Sequence, residues 1–189
     1  MRIGVFTNTP AHVHLYRNAI AKLKDDGHDV VVFARDDGCA LDLLKYFGIN
    51  HYVYASVDNA KRNLFLKFPR HIRNIYKVVQ KESLDLVLGM GVYSAFAGSA
   101  SRTPTVLLTD SEPMVMRHVA ISKSPFVEAI LTPESFKRDL GKKHYTFNGF
   151  KETAYLHPDV YTSTGTVRQE LGVGDDPFVL IRFNAFNGH

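Results

Sequence analysis

Cysteine is almost absent. The 189 residues contain one, Cys39, so no disulfide can close within the chain, a usage that fits a reducing compartment such as the cytosol. Long apolar runs are missing as well. None approaches the roughly 20 residues that span a bilayer, and Met1-Arg2 passes straight into Ile3–Phe6 without the apolar segment of a signal peptide. The expectation is a soluble, cytoplasmic protein, at most peripheral to a membrane. No His-Glu-x-x-His occurs, the nine histidines are scattered, and Cys39 has no partner spacing, so no metal is expected. The Gly-x-Ser-x-Gly of a serine nucleophile is lacking. So is a Gly-x-Gly-x-x-Gly after the first strand, although Asp36 and Asp37 end the second, which argues against a nicotinamide enzyme. A flavodoxin-like carrier would need a Ser/Thr/Gly-rich phosphate loop after the first strand, and none is there. Neither a cofactor nor nucleic acid is expected, since one basic helix is too little for the latter. A net charge of +4 is compatible with phosphate-bearing substrates or anionic lipid and requires neither.

What is present is an alternation of strand-length apolar runs with segments of helical period. Strands are predicted at 3–7, 29–34, 51–55, 84–88, 105–108, 129–131 and 144–147. Helices are predicted at 15–26, with Gly27 as its stop, at 41–47, over 61–82 with a break at Pro69, and from Tyr93. A helix or loop is expected through 114–124. Thr132-Pro133 reads as a further helix start, Thr as N-cap and Pro at the first helical position. Such alternation implies a doubly wound, Rossmann-like parallel sheet with right-handed crossovers. The rhythm changes near residue 158: Asp159–Gly165 reads as a linker, 167–171 as a short helix and 178–183 as a new buried strand. The expected organisation is a domain over 1–158 and, over 159–189, a linker with the first strand of a truncated second domain.

Ligands of doubly wound sheets sit at the C-terminal strand ends, so the loops there are the places to search. After the first strand come Asn8, Thr9, His12 and His14, near a helix N-terminus that suits anions. Histidines there serve as general acid/base or phosphate contacts, or simply cap and pack. His12 and His14, two apart, fall on different helix faces. After the fourth strand, Gly89, Gly91 and Ser94 allow close backbone approach to a ligand or form a packed turn. After the fifth, Asp110 and Glu112 are carboxylates for proton transfer or for sugar hydroxyls, with helix-start chemistry as the alternative. From Asn59 to Lys81 no acidic residue occurs. Past Pro69, Ile72, Ile75, Tyr76 and Val79 form an apolar stripe, with Arg70, Arg73 and Lys77 on another face. Lys61–Lys81 either meets an anionic membrane or packs on the sheet with its charges solvated.

Several runs resemble an uncharacterised, largely archaeal family of GT-B glycosyltransferase-like proteins, the domain of unknown function 354. They are Asn8 to His14, Asp26-Gly27-His28-Asp29-Val30, Ala34-Arg35-Asp36, and Asn148-Gly149-Phe150-Lys151-Glu152 with Tyr155-Leu156-His157-Pro158. The stretch 177–184 with His189 resembles that family's entry into its C-terminal domain. More distantly, His12-Val13 and Gly27-His28 are similar to the MurG family of UDP-N-acetylglucosamine transferases, which carries a glycine-rich loop where this chain has Thr9-Pro10-Ala11. Asp110 and Glu112 lie where MurG and the UDP-GlcNAc 2-epimerases also keep acidic residues. The resemblance implies the acceptor-side, N-terminal domain of an enzyme acting on a nucleotide-activated sugar, with His12 as general base or phosphate contact and Asp110 and Glu112 orienting hydroxyls or sharing the proton transfer. It implies a nucleotide-sugar donor, an acceptor, and no catalysis by this chain alone. The alternative is a non-catalytic subunit that recruits an acceptor or a membrane to a separate catalytic chain. Self-association through an uncovered apolar strand is a further expectation.

Overall fold

The computed structural model describes residues 1–56, 63–110 and 124–181, with the backbone alone for 63–69. The described strands are β1 (Arg2–Thr7), β2 (Asp29–Asp36), β3 (His51–Ser56), β4 (Leu86–Met90), β5 (Thr105–Leu108), β6 (Val127–Pro133) and β7 (His144–Phe147). They form one sheet in the order β3-β2-β1-β4-β5-β6-β7, every neighbouring pair parallel. The chain winds outward from β1 in one direction and from β4 in the other. The expected doubly wound α/β architecture is the one observed.

Strand alternation explains the two layers. Ile3, Val5, Val32 and Ala34 face helix α1 (Pro10–Asp25), through Val13, Leu15, Tyr16 and Ile20, and helix α2 (Ala40–Tyr46), through Leu44. Phe6, Val31, Phe33 and Val87 face the other way, onto Ile75 and Val79 of α3 (Asn63–Glu82) and Tyr93 and Ala97 of α4 (Val92–Ser101). Both faces are covered, so the strands read as unbroken apolar runs. Two short helices follow the sheet: α5 (Thr153–Leu156) and α6 (Val167–Glu170).

Several boundaries differ from expectation. Helix α1 begins at Pro10, not near Leu15, because Thr9 is extended and its side chain accepts from His12 N, while Pro10 has no N–H to satisfy. The same dipeptide at Thr132-Pro133 starts no helix. Pro133 ends β6, the Thr132 hydroxyl bonds His144 Nε2 at 2.8 Å, and turns follow that bury Phe136 and Leu140. Helix α3 runs through Pro69 without the expected break. Ile75 and Val79 of its stripe pack on the sheet, whereas Tyr76 is exposed beside Arg70, Arg73 and Lys77. The fourth strand lies two residues later than predicted, since Leu84 is a buried plug over Gly4, where a Cβ would stand 2.5 Å from Leu84 Cδ1. No strand forms over 178–181. Val179 and Leu180 are 84% and 83% exposed because no described strand or helix covers them. The helix or loop expected through 114–124 falls outside the described residues, apart from Ser124, which is not helical.

The approach of α4 to β5 depends on Gly98: a Cβ there would lie 1.7 Å from Thr105 Oγ1 and 3.0 Å from Thr103 O. Helix propensity alone makes Gly→Ala stabilising by roughly 1 kcal/mol. Gly98→Ala is expected to destabilise instead, by about 1–3 kcal/mol from overpacking, as read by urea denaturation. A stabilised variant would contradict this packing.

Candidate functional site

The strand order reverses between β1 and β4, and the helices that follow these two strands cover opposite faces of the sheet. This is the crevice where doubly wound folds take ligands. Asn8 occupies it and is buried. Its side-chain Nδ2 donates to Met90 O at the end of β4 (3.1 Å), and its Oδ1 accepts from the buried Tyr54 hydroxyl on β3. Its backbone carbonyl accepts from Arg35 Nε of β2 (3.1 Å), and its backbone N–H donates to His12 Nδ1 (3.2 Å). One residue thus joins β1, β2, β3, β4 and α1.

Around it lie two matched charge pairs. Arg35 Nη2 donates to Asp37 Oδ2 at 2.5 Å, and its guanidinium stands 5.9 Å from the Tyr93 ring centroid. Lys151, beyond β7, bonds Asp110, beyond β5, and lies 3.8 Å from Glu152. Burial opposes the Lys151 charge, yet the hydrogen bond and charge of Asp110, with Glu152 and Tyr155, leave its pKa raised. The segment after β7 is held back over the sheet by α5, where Asn18 Nδ2 of α1 donates to Ala154 O at 2.8 Å.

His12 lies within reach of all four charges. Burial first, then the positive charges of Arg35 and Lys151, lower its pKa to about 4, against the opposing pull of Asp110 and Asp37. It is therefore neutral at pH 7. Burial pushes the Tyr54 hydroxyl well above the ordinary tyrosine value, keeping it a donor to Asn8.

The structure thus brings His12, Asn8 and Asp110 to one rim. Thr9 stands beside them as the cap of α1. His14 is turned away, its ring packed on Phe47 and Tyr155 at centroid distances of 5.8 and 5.5 Å. Gly89 belongs to β4 and is required by packing, since a Cβ would lie 2.6 Å from Ser94 Cβ. Ser94 is buried and its hydroxyl bonds Gly91 O at 3.0 Å, so this pair shapes the crevice from beneath. Gly91, at φ +79 before α4, makes the turn that only glycine adopts without strain. Glu112 lies outside the described residues. Sequence reasoning did not select Arg35, Asp37, Tyr54, Tyr93 or Lys151. The strand-end position of Arg35 was a usable signal, but no local pattern brings Lys151 to Asp110, 41 residues away.

No family model and no curated protein matches the sequence. Solved structures do. The chain is similar to UDP-GlcNAc 2-epimerase from Neisseria meningitidis bound to UDP-GlcNAc, with a TM-score of 0.61, 16% identity, and 82% of this chain on 49% of that one. It is similar to MurG of Acinetobacter baumannii, with a TM-score of 0.55, 17% identity, and 73% on 43%. Against Anabaena HepE in complex with UDP and glucose the TM-score is 0.55, with 19% identity and 92% on 50%. The chain spans about half the length of these structures or less. Identities this low establish the fold alone: a Rossmann-like α/β domain of the GT-B kind.

Because the His12 pKa is lowered on folding, the unfolded chain takes up a proton near pH 6.5 while the folded one does not until about pH 4. The associated stability is complete above 6.5 and is lost as pH falls from 6.5 toward 4. His12→Gln is expected to flatten the fall of the urea midpoint between pH 7 and 4.5. Superimposable pH profiles for the two proteins would contradict a half-buried His12 held neutral.

Proposed function

We propose that this chain is the acceptor-side domain, spanning 1–158, of a glycosyltransferase-like or epimerase-like enzyme acting on a nucleotide-activated sugar. Residues 159–189 then lead into a donor-side domain. The observation that carries this reading is the rim at the β1/β4 switch point, where His12, Asp110, Lys151, Arg35 and Asp37 converge around Asn8. Each cation there is matched by a carboxylate and His12 is neutral. Donors and acceptors stand side by side among these described residues, which suits hydroxyls, since a hydroxyl both donates and accepts. In this scheme Asp110 accepts from a substrate hydroxyl while Lys151 holds its carboxylate in place. Glu112 is assigned the same task on sequence grounds alone. Two solved structures with this fold, the meningococcal epimerase and HepE, hold UDP-GlcNAc and UDP with glucose respectively. The finer resemblance, to the archaeal domain of unknown function 354, rests on the residue runs quoted above.

The exposed face of α3 supports a peripheral role at an anionic surface, with Arg70, Arg73, Lys77 and Lys81 all in solvent beside Tyr76. No helix among the described residues is long and apolar enough to cross a membrane. Vesicles containing phosphatidylserine are expected to retain the protein at low salt and release it at high salt. Equal retention on neutral vesicles would contradict a charge-driven contact.

The full-length protein is expected to bind UDP-GlcNAc or a related UDP-sugar in calorimetry. Asp110→Asn should weaken binding or turnover by about tenfold, or ~1.4 kcal/mol. Absence of binding by every UDP-sugar, or an Asp110→Asn variant indistinguishable from the parent, would contradict the reading.

A further inference from the structure

We infer that His12 serves this site as a neutral hydrogen-bond donor through Nε2, and that Asn8 is the positioning residue that imposes this tautomer. The inference rests on the sugar-nucleotide reading for what the donor meets, but not for the tautomer itself.

A neutral imidazole has one N–H and one lone pair, and the bond made by one nitrogen dictates what the other carries. Nδ1 of His12 accepts from the backbone N–H of Asn8 at 3.2 Å. A backbone amide can only donate, so Nδ1 holds the lone pair and Nε2 holds the hydrogen. Among the described residues Nε2 has no hydrogen-bond partner. Its hydrogen is therefore available to a ligand oxygen, whether hydroxyl, ring or phosphoryl. As long as Nδ1 is so engaged, the ring has no second lone pair with which to take a proton from a substrate hydroxyl. Of the two roles the sequence offers His12, general base or phosphate contact, this tautomer excludes the first and is compatible with the second.

The amide of Asn8 is rigidly placed. The side chain is anchored at both ends, to Met90 O and to the Tyr54 hydroxyl, and the carbonyl is held by Arg35. Protonating Nδ1 would set its new N–H against that amide. The surrounding charges act in the same sense, with Arg35 from β2 and Lys151 beyond β7 opposing an imidazolium more than Asp110 and Asp37 favour one.

A second histidine of the fold shows the same device used differently. His144 Nδ1 accepts from the backbone N–H of Leu140, also four residues earlier, at 3.2 Å, and lies 3.4 Å from Asp139 Oδ1 as well. Its Nε2 lies 2.8 Å from the buried Thr132 hydroxyl, closing a structural clamp. Among the described residues the matching hydrogen of His12 has no such internal acceptor.

The test is nitrogen-detected NMR of the histidine side chains in the ligand-free protein, so its outcome is separable from any failure to find a sugar nucleotide. The expected result is a single Nε2–H tautomer for His12 at pH 7 that persists, uncharged, at pH 5. Asn8→Ala should mix the tautomers and move the titration midpoint up toward the free-imidazole value of about 6.5. Tyr54→Phe, which removes only the hydroxyl that fixes Asn8 and so keeps the fold, should move both in the same direction. An Nδ1–H tautomer or an imidazolium at pH 7 would overturn the donor role. Tautomer and midpoint unchanged in Tyr54→Phe and in folded Asn8→Ala would overturn the positioning role of Asn8.

Discussion

A parallel sheet whose strand order reverses beside its first strand opens a gap there, because the chain leaves β1 and β4 toward opposite faces. Backbone groups at the mouth of that gap have no neighbouring strand to pair with, and leaving one buried and unpaired costs about 1–3 kcal/mol. Asn8 resolves this. Its amide bridges to the carbonyl of Met90, its oxygen takes the Tyr54 hydroxyl, and its main chain engages Arg35 and His12. The rim is organised by this one side chain and the peptide units on either side of it.

From that constraint the character of the site follows. Arg35 is drawn to the Asn8 carbonyl and meets Asp37, while the return of the chain after β7 delivers Lys151 to Asp110. Two ion pairs near the half-buried histidine give a polar surface in which both cations have carboxylate partners. Such a surface presents hydrogen-bond donors and acceptors at fixed positions. A site built for phosphate alone would leave its cations unmatched.

The layer architecture was legible because its cause is local. Buried strands such as 29–34 and 105–108 announce themselves as apolar runs, and Gly27 marks the end of α1. The start of α1 was misplaced because capping by Thr9 and packing by Val13 were hidden in a stretch that reads as a polar loop. Thr132-Pro133 carried the same helix-start signature and ended a strand instead, since the bond of Thr132 to His144 is decided by the next strand and not by the dipeptide. That His12 and Asp110 share one rim is legible because both follow strands of a doubly wound sheet at its C-terminal edge. Gly89 and Ser94 carry a packing demand that the sequence does not separate from a ligand loop, since a Cβ added at Gly89 would lie under 3 Å from Ser94. Lys151 was invisible as a site residue, because only the path of the chain from β7 back to α1 brings it to Asp110.

The most direct measurement is a crystal structure of the full-length protein with a UDP-sugar bound. The expected result is a sugar hydroxyl or other ligand oxygen within hydrogen-bond distance of His12 Nε2 and of Asp110, with the Asn8–Met90 and Asn8–His12 bonds intact. A ligand seated at the N-terminal ends of the strands, near Arg2 and Glu82, or one that draws His12 away from the Asn8 amide, would contradict it.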